Sequence, residues 1–354
     1  MTGDDLPAAL RQTLVHLATG EDVGPDRLGA AADACAALDA PVRDVVLGSI
    51  LTASMMRGPR TDDVVSLLSS FLSLDERPPV VTLRGGAHPV VLLSGSGKKG
   101  RRTLNVSTPA ALAAAAAGAR VVKVGSSATS SALGSRDLVS QLGIPESGGA
   151  DDVRANLARC GFAFVPVEPL IPRVDRLYGG RFHTINPLSF GLAPLASPVR
   201  GDLLAYGLSH PRVDVAARAL ASFGVPDAIV FSTRLAPGVY VDELVPGGEL
   251  LSCRVVDGAA GEVERERLAG LGSDPRTGGL PAAAGAEEAV RRTRDLLEGG
   301  GLDSHRRLVA ANAGFLLALS GLADSVSSGA RRADEILRSG AALDVVAAGA
   351  AGPF

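Results

Sequence analysis

Tryptophan is absent from this 354-residue chain, and all aromatics together make up 3% of it. Its core must be built from alanine, valine and leucine, small side chains that let helices and strands approach closely. Neither sign of charge dominates. The formal net charge of −3 argues against a global binder of nucleic acid or of an anionic membrane. Cysteine is scarce: Cys35, Cys160 and Cys253 stand far apart, no pair has metal-ligand spacing, and an odd count makes a poor disulfide framework. Long hydrophobic runs are missing too. The longest apolar stretch, Pro109 to Val122, is mostly alanine and is broken by Arg120, too short and too weakly apolar to span a bilayer. Met1 to Leu6 carries acids where a signal peptide would carry bases. The expectation is a cytoplasmic protein with no membrane segment.

What is present is a hydrophobic fraction of 46%, over a length that suits one large domain plus a smaller one. Residues 5–75 read as helices only, with apolar residues three and four apart and turns at Gly20, Ala40-Pro41 and Gly58-Pro59. From residue 78 the pattern changes. Strands are expected at Val80 to Leu83, Val90 to Leu93, Arg120 to Val124, Phe162 to Val165, Leu203 to Tyr206 and Asp227 to Phe231, with helical segments between them. That alternation implies an α/β fold with a central, mainly parallel sheet covered by helices. Residues 255–286 read as a loop or an edge hairpin, and helices close the chain, the last interrupted near Gly340.

The chemistry concentrates between Ser94 and Ser135. A strand runs into Gly95-Ser96-Gly97-Lys98-Lys99-Gly100-Arg101-Arg102-Thr103, then Leu104-Asn105-Val106-Ser107-Thr108-Pro109 and an alanine-rich helix. Glycines let backbone N–H groups approach an anion. Ser107 or Thr108 can cap the helix, and Pro109 suits its first turn. The helix N-terminus and the four basic residues add positive potential. Read alone, the run from Lys98 to Arg102 is either part of an anion site or a solvated basic turn open to nucleic acid. A second strand ends at Lys123 and opens a loop rich in hydroxyls, from Gly125 to Ser135, where Ser135 can cap a helix. Such a loop is either a surface loop or the other wall of one pocket, since α/β sites gather at strand ends.

These motifs resemble the anthranilate phosphoribosyltransferase family. Gly95 to Gly100 matches its glycine loop, Thr103 to Thr108 its Thr-Phe-Asn-Ile-Ser-Thr, and Lys123-Val-Gly-Ser-Ser its Lys-His-Gly-Asn-Arg. Gly20-Glu21, Ile50 to Gly58, Asn186 with Pro194, and Asn312 to Gly340 follow in the family's order. The resemblance implies a small helical domain, residues 1–76 with 167–187 packing on it, and a large domain from 77–166 and 188–354. It implies phosphoribosyl diphosphate as donor, held by Gly95, Gly97, Thr103, Asn105, Ser107, Thr108, Lys123 and Ser131, and Ser96, Lys98 and Lys99 of the same loop are expected to join them as departures within it. It also implies Mg²⁺ with Ser107 as a ligand, and a homodimer through the N-terminal helices, where Leu51 and Met55 to Met56 could equally be core.

Departures from the family shape the functional expectation. Anchoring on Val241 to Leu244 puts Phe231-Ser232 where the family's Asp-Glu metal pair belongs, and sets Asp242 and Glu243 on another element. Lys98 and Lys99 are then expected to replace part of the metal's charge. At the acceptor the matching positions are Val124, Ser126, Glu168 and Arg176, joined by His183 near the presumed hinge. Arg176 could bind a carboxylate or be a surface cation, and His183 could be a general base or a structural histidine. The expected function is phosphoribosyl transfer to a small acceptor other than anthranilate, with anthranilate transfer and a non-catalytic nucleic-acid binder as alternatives. Pyrimidine nucleoside phosphorolysis shares the fold class, but Asn105-Val-Ser-Thr points to the transferase branch.

Overall fold

The computed structural model describes residues 6–97, 105–128, 133–179, 181–268 and 283–351. The chain opens with four helices: α1 (Ala8–Thr19), α2 (Pro25–Ala36), α3 (Val42–Met56) and α4 (Thr61–Leu72). Their limits follow local chemistry. Gly20 takes the left-handed conformation that ends α1, Pro25 sits in the first turn of α2, and Asp62 and Asp63 complement the N-terminus of α4. Leu51 is core, whereas Met56 is 83% exposed.

Then follow β1 (Val81–Thr82), β2 (Val90–Gly95), α5 (Ser107–Ala116), β3 (Arg120–Gly125), α6 (Ser135–Gln141), α7 (Ala150–Cys160), β4 (Phe162–Pro166), α8 (Pro172–Tyr178) and α9 (Leu192–Ala196). Next come β5 (Val199–Arg200), β6 (Leu203–Gly207), α10 (Val213–Ser222), β7 (Ala228–Ala236), β8 (Val239–Val241), β9 (Glu249–Val256) and β10 (Ala259–Arg267). The closing helices are α11 (Ala286–Leu297), α12 (Asp303–Leu319), α13 (Val326–Ser339) and α14 (Ala342–Ala350). Gly340, left-handed, separates the last two, as the sequence predicts.

The main sheet runs β10-β9-β7-β6-β2-β3-β4. Strands β7, β6, β2, β3 and β4 are mutually parallel, while β8 and β9 pair antiparallel with β7. The stretch read as a loop or edge hairpin proves to be the antiparallel β9–β10 hairpin as far as Arg267. The expected strand at Val80 to Leu83 shrinks to two residues and pairs with β5, outside the main sheet. From β2 the chain proceeds one way through β3 and β4, and later the other way through β6 and β7. The boundary between β2 and β6 is thus a topological switch point, where α/β sheets place ligands at the carboxyl ends of their strands.

Strand residues alternate strictly between two apolar clusters. Val90, Leu92, Val122, Val124, Leu204 and Tyr206 join α1 to α4 and α10 in the first. Val91, Leu93, Val121, Phe164, Ala205 and Phe231 join α5, α12, α13 and α14 in the second. Both faces are buried, which is why these strands read as unbroken apolar runs. The first cluster also ties in α8, whose Arg173 and Val174 N–H groups donate to the Asp75 carboxylate just after α4.

Candidate active site

A cavity of about 550 Å³ opens at the carboxyl ends of β2, β3 and β6. On one side β2 ends in a tight turn. Ser96 N–H donates to Gly207 O, and Gly97, at φ +59°, donates its N–H to Asp242 Oδ2, both at 2.9 Å. The space is exact: a Cβ on Gly95 would stand 2.9 Å from Asp242 Oδ2, and one on Gly207 2.1 Å from Asp242 O. Asn105, Val106 and Ser107 line the cavity, so the ten-residue α5 begins there. Its cap is neither Ser107 nor Thr108. Asn105 Oδ1 accepts from Thr108 N–H at 3.1 Å, because the asparagine lies one turn earlier, where a cap must stand. His305 is buried next to the Asn105 backbone, and burial pulls this imidazole down to about 4. Lys123, 3% exposed, lines the same cavity and donates to Val124 O at 3.0 Å.

Asp242 and Glu243 follow β8, an element other than the β7 of Phe231-Ser232, as expected, yet both line this cavity. Strand β8 folds back antiparallel on β7 with Val241 opposite Thr233, so Asp242 returns to the level of Ser232. Ser232 is fully buried in the strand, and Phe231 packs edge-on against Phe315. The backbone around the acids is pinned. Thr233 Oγ1 donates to Glu243 O at 2.6 Å, and Asn312 bonds both the N–H and the C=O of Leu244. The notion of lysines standing in for lost acids therefore loses its premise. Lys98, Lys99, Thr103 and Ser131 lie outside the described residues. Among those described, no three histidines, cysteines or acids gather for a metal. Asp242, Glu243 and the Ser107 hydroxyl line the same cavity, and hard oxygens of this kind suit Mg²⁺, which typically takes one or two carboxylates and completes its shell with phosphates and water.

The opposite wall holds Val124, Ser126 and Glu168, with Val167, Ile171 and Val174. Three expected residues do not line the cavity: Arg176 and His183 are exposed, and Thr108 is fully buried in α5. On the short helix α8, Val174 and Asp175 face inward, and Arg176, about 200° further round from Val174, faces out. Sequence reasoning missed Arg136, which lines the cavity beside Glu168, and Asn312, which it placed in the family's order without a role.

Residues 88–343 match the family described as "Glycosyl transferase family, a/b domain". An anthranilate phosphoribosyltransferase of Shewanella loihica is 32% identical over 312 residues, 84% of either chain. One from Halobacterium salinarum is 30% identical over 330 residues, covering 90% of this chain and 91% of the relative. The chain belongs to the anthranilate phosphoribosyltransferase family. Among solved structures, the anthranilate phosphoribosyltransferase of Thermus thermophilus superposes with a TM-score of 0.70 at 25% identity, covering 98% of this chain and 99% of that one. That of Saccharomyces cerevisiae, solved with PRPP and Mg, reaches 0.70 at 19% identity, covers 96% of each chain and shows the same fold. The chain is thus an enzyme of phosphoribosyl transfer. These relatives carry the anthranilate name and favour that acceptor over a different one. The expectation of a non-anthranilate acceptor finds no support among them.

Proposed function

We propose that this enzyme transfers phosphoribose from phosphoribosyl diphosphate to anthranilate, with Mg²⁺ bound at Asp242, Glu243 and Ser107. One observation carries the reading. A glycine turn, a helix N-terminus, a buried lysine and two carboxylates meet on one cavity at the switch point of the sheet. The turn from Gly95 to Gly97, its Ser96 and Gly97 N–H groups taken by Gly207 and Asp242, would shape the donor side, and the positive end of α5 would attract the donor's phosphates. Lys123, from the next strand, would hold negative charge in a place poor in water. Mg²⁺, when bound, supplies positive charge to the diphosphate leaving group. The wall from Val167 to Val174 would seat the acceptor's ring, and closure of the cavity would position its nitrogen and exclude water. A dimer through the N-terminal helices is supported by the exposed Val15, Val45 and Met56 on α1 and α3.

The test is mass-spectrometric detection of phosphoribosyl product and diphosphate from purified full-length protein, with phosphoribosyl diphosphate and an acceptor panel, with and without Mg²⁺. Turnover with anthranilate, dependent on Mg²⁺, is expected. Turnover with another acceptor and none with anthranilate would overturn the acceptor assignment. Diphosphate release from no acceptor at all would overturn the reading.

A further inference from the structure

We infer that Glu168 and Arg136 form the acceptor-recognition pair of this enzyme and take a vicinal amino-carboxylate, with the amine on Glu168 and the carboxylate on Arg136. The inference rests on the transferase reading and specifies how its acceptor is held.

Glu168 follows β4 on a short 3₁₀ turn, its side chain 18% exposed. One oxygen is fixed: Ser127 N–H donates to Oε1 at 2.5 Å. The other, Oε2, is buried and has no hydrogen-bond partner. Its nearest cation is Arg136 Nη1, at 3.6 Å, beyond hydrogen-bonding distance. Arg136 stands in the first turn of α6, its side chain 30% exposed. Its Nε and Nη2 are occupied by Glu146, at 2.5 and 3.0 Å, which locks the guanidinium plane. Nη1 is left facing Glu168. The pair therefore presents an acceptor atom and a donor atom side by side, each held from behind by another group.

A carboxylate oxygen buried without a partner costs roughly 1–3 kcal/mol. A ligand N–H would remove that cost. An amine and a carboxylate on adjacent carbons offer a donor and an acceptor roughly 3 Å apart, the span of one hydrogen bond. Such a ligand would replace the long Glu168–Arg136 contact with two short ones of matching sense. A lone carboxylate would meet the repulsion of Glu168, and a lone amine would leave Arg136 unused. Val124, Val167, Ile171 and Val174 line the same cavity as the pair and give it apolar surface suited to a ring. Among the described residues, Lys123 and Arg136 are the cations of the cavity wall, and Arg176 lies outside it.

Titration calorimetry on the full chain with 2-aminobenzoate, 4-aminobenzoate, benzoate and aniline tests this without needing turnover. The wild type is expected to bind 2-aminobenzoate at least tenfold tighter than the other three. Arg136→Met should lose tenfold or more for 2-aminobenzoate and benzoate but not for aniline, and Arg136→Lys should recover part of it. Glu168→Gln, which turns an amide N–H toward the ligand, should lose tenfold or more for 2-aminobenzoate and aniline but not for benzoate. Thermal melting establishes that each variant is folded. Equal binding of all four compounds, or a preference that survives in folded variants of both residues, would overturn the pair. Preference for 2-aminobenzoate without phosphoribosyl product would sink the transfer reading and leave the pair standing. Product formation unaffected by either substitution would do the reverse.

Discussion

The carboxamide of Asn312 closes on Leu244 from both sides, Oδ1 accepting from its N–H at 3.0 Å and Nδ2 donating to its C=O at 2.9 Å. Leu244 directly follows the acidic pair, so α12 fixes the height at which Asp242 and Glu243 enter the cavity. Asn312→Leu keeps the volume but strands a buried N–H and a buried C=O. The variant should lose roughly 2–4 kcal/mol of stability, and should need several-fold more Mg²⁺ for half-maximal activity. Urea unfolding and a Mg²⁺ titration measure the two effects. An unchanged Mg²⁺ requirement would show that the clamp is merely structural.

Two glycines around Asp242 differ in what they would strike. At Gly95 a Cβ meets the end of the Asp242 side chain, which can swing aside, whereas at Gly207 it meets the Asp242 backbone. Gly95→Ala should fold and lose about tenfold or more in kcat. Gly207→Ala should in addition lose about 2 kcal/mol or more of stability, in keeping with overpacking of a site that cannot yield. Denaturation midpoints and kcat for both variants decide the order, and a reversed order would refute the geometry.

Acid should loosen the donor side. His305 is 1% exposed and is held neutral by burial, down to about 4 from an ordinary 6.5. Its folded value is depressed, so between those two values the unfolded chain binds more protons than the folded one. Stability is complete above pH 6.5 and falls as pH drops toward 4, by up to about 3 kcal/mol from this residue at 1.36 kcal/mol per unit. Melting temperatures between pH 7 and pH 4 read this out. His305→Asn should flatten the slope at the cost of some stability at neutral pH.

Metal removal separates the carboxylates from the basic loop. With all Mg²⁺ chelated, turnover should vanish, and Asp242→Asn should raise the Mg²⁺ requirement about tenfold or more while the protein still folds. Full activity of either the chelated enzyme or the Asp242→Asn variant at low Mg²⁺ would show that other charges carry the diphosphate.

The parallel strands were legible because burial on both faces makes each a short apolar run, as in Val90 to Leu93 and Phe162 to Val165. The glycine turn and Lys123 were legible because they stand at strand ends. Asp242 was not. Its place depends on a β7–β8 fold-back whose register is set by tertiary pairing, so anchoring on Val241 to Leu244 and counting back to Phe231-Ser232 overlooks the hairpin that returns Asp242 to the same level. His183 lies beyond α8 in an exposed stretch, and Arg176 failed to reach the cavity because of how α8 is turned. On the short helix α8, rotation is decided by Val174 packing in the core, and the inward role expected of Arg176 rests on the family match rather than on the local apolar pattern.

The alternation of strand residues between two apolar clusters divides the cavity as well as the core. Val106, Leu133, Phe231 and Phe315, on the donor side, belong to the second cluster. Val124, Val167, Ile171, Val174 and Leu188, on the acceptor wall, belong to the first. The apolar linings of the two proposed seats thus belong to separate clusters with the sheet between them, while Arg136 reaches the acceptor seat from α6, whose Leu138 and Val139 belong to the second cluster. On the proposed assignment, a change in the apolar ring seat would be passed to the N-terminal helices, whereas a change at Arg136 would reach the donor side through α6, so the ring seat is the part this architecture can alter without rebuilding how it holds the phosphoribosyl group.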